Sequence, residues 1–177
     1  MIMERHESIE YKKRRNMIMQ IFESDLSREI KIMLQIIELE KYLNKMRNIS
    51  LPKNLKKFLI KCESGECKLS YDDLTFRIND ILGIIFEMEM GGTISDDYSS
   101  PCDNNKIYIP NGWQRTKWIP FGSRANGSIV FIDYDPAENG NIGQVCFNDS
   151  EGNYEVFEDS LEEFLSKCHI HFNPFIN

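Results

Sequence analysis

From Leu26 to Met46 apolar side chains return at helical intervals. Ile32, Ile36, Leu39, Leu43 and Met46 follow at spacings of four, three, four and three, and Ile30, Met33 and Ile37 widen the stripe. The pattern predicts a helix with a face broad enough to be core. It lasts only about two heptads, too short for a coiled coil. Leu51-Pro52 stops this helix and opens another, because proline loses nothing in a first helical turn. Leu55, Phe58 and Leu59 share one face there, and Ser64-Gly65 ends the segment. Tyr71 to Met90 reads as strand, with Ile81-Leu82-Gly83-Ile84-Ile85-Phe86 as its buried centre. Gly91 to Asn105 has the composition of a loop, and connections beyond roughly 12–15 residues are uncommon.

The second half alternates. Trp118 to Gly122, Ser128 to Tyr134, Ile142 to Phe147 and Tyr154 to Phe157 read as strands. Turns at Asp135 to Asn141 and Asp149 to Asn153 separate the last three. Such short links make an antiparallel meander rather than a parallel sheet. Ser160-Leu161-Glu162-Glu163 forms a capping box, in which the Ser160 hydroxyl accepts the Glu163 N–H and the Glu163 side chain reaches back. The helix it opens turns Leu161, Phe164, Leu165 and Cys168 inward. The expected class is α+β, a mostly antiparallel sheet flanked by helices. Residues 1–25 read as a variable extension holding one helix with Ile18, Ile21 and Phe22 inward, and residues 26–177 as a single domain.

Composition narrows the class. A chain of 177 residues buries enough surface to build a core without disulfides or metals. At 41% hydrophobic it is too apolar for intrinsic disorder. Its longest apolar run, Ile81 to Phe86, is far short of the about 20 residues of a membrane span. The start is mostly charged, and the apolar stretch Met17 to Phe22 is broken by Gln20 and followed by Glu23-Ser24-Asp25, unlike a signal peptide. The expected location is the cytoplasm. Cys62, Cys67, Cys102, Cys146 and Cys168 are odd in number and contain no CxxC, so reduced thiols are expected.

Charge divides the chain. The net value is −7, yet residues 1–61 hold 14 Lys/Arg against 8 Asp/Glu while residues 62–177 hold 7 against 20. The larger part is an acidic body that repels phosphate and attracts a basic partner. The one dense basic cluster, Lys12 to Arg15, is flanked by Glu4, Glu7 and Glu10 and reads as a solvated face rather than a nucleic-acid patch.

Four ordered blocks resemble the SUKH superfamily of the Smi/Knr type. They are Leu51-Pro52 with its short helix, Trp118 to Ser123 on to Gly127, Phe131 to Pro136 with Gly140 to Val145, and Asp159 to Leu165. The resemblance spans roughly residues 30–168. It departs at Glu63-Ser64-Gly65, where the family usually has Asn-Gly, and the middle segment has no clear counterpart. The resemblance implies a helix-flanked antiparallel sheet and action by binding rather than by a reaction. Most bacterial members neutralise a toxin as immunity proteins. A fungal branch is linked to cell-wall glucan synthesis through protein contacts, which supplies the alternative reading of a regulatory scaffold.

The motif residues also have structural readings. Trp118 is expected in the core; Gly122, Gly127, Gly140 and Gly143 suit turns or close backbone approach. Pro136 presets a turn, and Ser160 with Glu163 caps a helix. Metal chemistry is weakly indicated. A calcium loop begun at Asp133 would need glycine sixth and glutamate twelfth, but Glu138 and Gln144 stand there. Cys62 and Cys67 with Cys102, His169 or His171 match no zinc spacing. His6, His169 and His171 all lie near the termini, and no phosphate-cradling glycine loop occurs. The expectation is a non-enzymatic domain without cofactor, contacting neither nucleic acid nor membrane. The partner is expected to be a cognate toxin, of a kind that degrades nucleic acid, or another basic protein. A small-ligand site or an enzyme on the sheet is the remaining alternative. Asp96, Asp97, Asp133, Asp135 and Glu138, with Asp149 and Glu151, are the candidate partner-binding carboxylates on loops and strand ends.

Overall fold

The computed structural model describes residues 13, 16–17, 19–21, 25–63, 65–90, 106–107 and 117–174. Helix α1 spans Arg28–Tyr42 and runs into a π-helical turn, Leu43–Arg47. Asn48 closes it in the left-handed region at φ 54°, with its N–H on the Asn44 carbonyl. Ile32, Ile36, Leu39 and Leu43 are buried as their spacing predicts. Met46 is exposed, because the wider π turn rotates it off the buried face. Ile30, Met33 and Ile37 are exposed too, so the expected flanking stripe is not core. Helix α2, Lys53–Glu63, buries Leu55, Phe58, Leu59 and Cys62.

The segment expected as one strand, Tyr71 to Met90, divides in three. Strands β1 (Gly65–Tyr71) and β2 (Leu74–Ile78) form a hairpin turned by Asp72 and Asp73, with Asp72 at φ 48°. Ile81–Met90 is a helix, α3. Its buried residues Ile81, Ile84, Ile85 and Met88 have helical spacing. Asp80 starts it, accepting the Gly83 N–H on its side chain and the Ile84 N–H on its carbonyl. At the other end the Arg47 guanidinium donates to the Met88 carbonyl at 2.8 Å, a cation where the helix is negative.

The meander follows as expected: β3 (Trp118–Ser123), β4 (Ile129–Asp133), β5 (Gln144–Asn148) and β6 (Tyr154–Glu158). Helix α4, Leu161–Lys167, and a further strand β7, His169–Pro174, complete the described chain. The seven described strands form one antiparallel sheet in the order β6-β5-β4-β3-β2-β1-β7. The α+β class and the helix-flanked antiparallel sheet are those the sequence predicts; β7 is an addition.

The β2–β3 ladder has two pairs, Arg77 with Ser123 and Ile78 with Gly122. Gly122 sits where the β3–β4 register shifts, and a Cβ there would come 2.8 Å from Val130 Cγ1. The main core lies between the helices and one face of the sheet. Phe76, Phe121 and Phe164 are wholly buried in it, each side chain stabilising by roughly 1.5–3 kcal/mol. The other face of the meander carries a second cluster of Ile107, Trp118, Ile129, Phe131 and Cys146. Trp118, 2% exposed, stacks on Phe131 at 4.2 Å, so the expected core role holds.

Candidate functional site

Two acidic segments far apart in sequence meet through the Tyr71 side chain, whose hydroxyl lies 3.3 Å from the Phe157 carbonyl as well as against Glu158. The ring of Tyr71, at the tip of β1, stacks on Phe157 of β6 at 4.8 Å and on Phe164 of α4 at 4.9 Å. Its hydroxyl donates to Glu158 Oε1 at 2.6 Å. The β1–β2 hairpin thus folds across the inner face onto β6. Lys167, nine residues on, donates to both Glu158 oxygens at 2.8 and 2.7 Å. Burial pushes the Glu158 carboxyl up, but the bonds from Lys167 and Tyr71 outweigh it and hold it below the usual range. Burial, and then the Glu158 carboxylate, push the Tyr71 phenol well up.

Asp72 and Asp73 adjoin Tyr71 and are exposed; Asp159, Glu162 and Glu163 follow Glu158 and are exposed. The ladders pair Asp133 with Gln144 and Val145 with Glu158, so the β4–β5 loop leaves the same end of the sheet. That loop adds exposed Asp135 and Glu138. Glu158's end of the sheet presents carboxylates from the β4–β5 loop and the start of α4, arranged to attract a cationic surface. Asp72 and Asp73 lie on the β1–β2 turn, which the register places beyond the other end of β3 and which is tied to Glu158 through Tyr71.

Asp133 does not belong with these carboxylates. Its side chain is 0% exposed, which corrects the expectation that it contacts a partner. Asp133 Oδ1 accepts the Asp135 N–H at 2.9 Å and Oδ2 accepts the Gln144 side-chain amide at 3.1 Å. Burial still raises its carboxyl above the ordinary aspartate value. The same Gln144 amide donates to the Lys106 carbonyl at 3.0 Å, and the Ala137 N–H donates there at 3.1 Å. Gly140 is needed in this clasp, since a Cβ would run into the Lys106 carbonyl. Gly143, at φ 89°, sends its N–H to the Asp133 carbonyl at 2.7 Å. Asp133 is a latch that shapes the loop carrying Asp135 and Glu138.

A comparison with protein-family models matches the SMI1 / KNR4 family (SUKH-1) over residues 34–167. The chain belongs to this family. No curated protein matched it. The SUKH-1 match spans the three acidic segments just described.

Within this SUKH-1 domain the remaining expected positions fall as follows. Pro136 is half-buried against Gly140 in the clasp. Ser160 caps α4, its hydroxyl accepting the Glu163 N–H at 3.2 Å, while the Glu163 carboxylate pairs with Lys167 at 3.3 Å. Asp149 binds its own turn, accepting the N–H groups of Glu151 and Asn153 and the Asn153 amide. The Asn153 bond and the two backbone bonds lower its carboxyl against the opposing effect of burial. Glu151, exposed, is on the turn at the opposite end of β5. Asp96 and Asp97 lie outside the described residues. The sequence reading missed Asp72, Asp73, Asp159 and Glu162 as a group, because only the fold-back of Tyr71 onto Glu158 joins them.

Proposed function

We propose that this SUKH-1 domain acts by binding, as a cytoplasmic immunity protein that holds and neutralises a cognate toxin without turnover or cofactor. The observation that supports this most is the Tyr71–Glu158 bond, which ties the turn carrying exposed Asp72 and Asp73 to the segment carrying Asp159, Glu162 and Glu163, with Asp135 and Glu138 on the loop at Glu158's end of the sheet. A toxin that attacks nucleic acid needs a basic surface for its polyanionic substrate. An acidic surface competes for that site and speeds association through long-range attraction. Co-expression with the product of the adjacent gene tests the reading. A stable complex that relieves growth arrest by that product is the expected result. A complex that forms without relieving arrest would favour the regulatory-scaffold reading. An adjacent product that neither binds nor harms the cell would remove the immunity reading.

A further inference from the structure

The outer face of the opposite half of the sheet carries the opposite charge. Lys68 pairs with Arg77 on one side and with His171 on the other. All three are exposed, so they form one row across β2, β1 and β7. Thr75, Ser70 and His169 form the next row, the two hydroxyls 3.0 Å apart. These residues alternate with buried Cys67, Leu69, Phe76 and Ile78, so the rows face away from the core. The first row holds two of the seven Lys/Arg of residues 62–177, a part otherwise dominated by carboxylates.

Beside this row β7 ends the sheet, and no described strand lies beyond it. Its ladder shows which backbone groups face outward. Gly65 pairs with Pro174, and proline has no N–H, so this pair is not a hydrogen-bonded one. Bonded and non-bonded pairs alternate in an antiparallel ladder. The bonded pairs are therefore Glu66 with Asn173, Lys68 with His171 and Ser70 with His169. The N–H and C=O groups of Ile170 and Phe172 point away from β1. A shallow groove of about 450 Å³ opens there, lined by Lys68, Ile170, His171, Phe172 and Asn173.

We propose that this edge docks an extended acidic segment of a protein partner, added as a strand beside β7 with carboxylates over Lys68 and His171. Outward donors and acceptors on alternate residues match a polypeptide backbone. The Lys68 ammonium and the Arg77 guanidinium in this row select acidic side chains. A second copy fits poorly. The symmetric pairing that matches the Ile170 and Phe172 groups sets His171 against His171 between two Lys68 ammonium groups. A nucleic acid lacks the alternating backbone groups. The surface is on the outer face of β1, β2 and β7, whereas Tyr71 reaches Glu158 on the inner face, and its test stands whether or not the immunity reading does.

Amide hydrogen exchange on the isotope-labelled full chain tests it, with three probes. They are a capped peptide of alternating glutamate and valine, its lysine counterpart, and the glutamate peptide methylated on its backbone nitrogens. In the free protein Ile170 and Phe172 should exchange faster than His169 and His171, which bond to β1. The glutamate peptide should slow those two amides by at least about tenfold at saturation, and the other two peptides should not. Lys68→Glu with His171→Glu should reverse the preference between glutamate and lysine peptides. Continued protection of the residue-171 amide shows that this variant keeps its fold. Unchanged exchange at Ile170 and Phe172, or equal slowing by both charged peptides, overturns the proposal. So does protection that grows with protein concentration alone, which means a second copy, or equal protection by an oligothymidylate.

Discussion

The Tyr71 hydroxyl donates to the Glu158 carboxylate at 2.6 Å although four strands separate β1 from β6 in the sheet. The β2–β3 ladder has two pairs, extended by the Asn79 N–H on the Phe121 carbonyl, so this bond and the ring stack beneath it add a second tie between the two halves of the sheet. Tyr71→Phe keeps the stack and removes the donor. It should cost about 1–3 kcal/mol, the range for a bond to a charged group. Tyr71→Ala removes the half-buried ring as well and should cost more, toward the lower end of the about 3–5 kcal/mol of a fully buried aromatic truncation. Denaturant unfolding measures both, and a neutral Tyr71→Phe would mean that the bond does not join the halves.

Glu158 sets a pH dependence with a defined sign. Its folded carboxyl lies below the usual range, because the Lys167 and Tyr71 bonds outweigh burial. Its stabilisation is therefore complete above the unfolded glutamate value of about 4.3 and lost as pH falls through the folded value. Glu158→Gln should destabilise most at neutral pH, and its difference from the parent should shrink below about pH 4.3. Asp133, raised by burial, acts in the opposite sense: its favourable part is present below about 3.9 and lost as pH rises through its folded value. Unfolding free energies of parent and Glu158→Gln across an acid pH series read the first effect. A difference that widens in acid would contradict it.

The meander and the α4 cap were legible because alternation and turn chemistry agree there, as at Ser128 to Tyr134 and at Ser160. The Ile81 to Phe86 run misled because consecutive isoleucines suit a strand, whereas Asp80 as a cap and burial at 81, 84, 85 and 88 mark a helix. Asp133 misled for a different reason. It shares a strand face with Ile129 and Phe131, and that face is covered, so a charged residue in register with them is buried. Asp135 and Glu138 were legible as exposed turn residues. The grouping of Asp72 with Asp159 was not, since no local pattern records a contact between β1 and β6.

Trp118 and Gly122 anchor the meander. Trp118→Ala should cost about 3–5 kcal/mol, since the ring is buried against Phe131. Gly122→Ala should cost about 1–3 kcal/mol by forcing Val130 aside. Ser160→Ala, which removes one cap bond, should cost about 1 kcal/mol. Chemical denaturation of the three variants should preserve this order, and a neutral Trp118→Ala would remove the second cluster from the stability account.

Asp133 and its exposed neighbours should separate cleanly. Asp133→Lys places an ammonium in a buried node built for a carboxylate, and the domain should lose its cooperative transition. Asp135→Lys and Glu138→Lys should stay within about 0.5 kcal/mol of the parent, as surface changes do. Thermal unfolding distinguishes them. A stable Asp133→Lys would return that residue to the surface.

The most direct measurement is the association rate with the adjacent gene's product across a salt series, for the parent and for charge reversal at Asp72, Asp73, Asp159 and Glu162. Surface charges beyond a Debye length, near 10 Å at 0.1 M, are screened. The on-rate should fall as salt rises, and the reversed variant should associate more slowly with a flatter salt dependence. Deletion of residues 1–25 should leave the rate nearly unchanged. An on-rate indifferent both to salt and to reversal would contradict binding through these carboxylates.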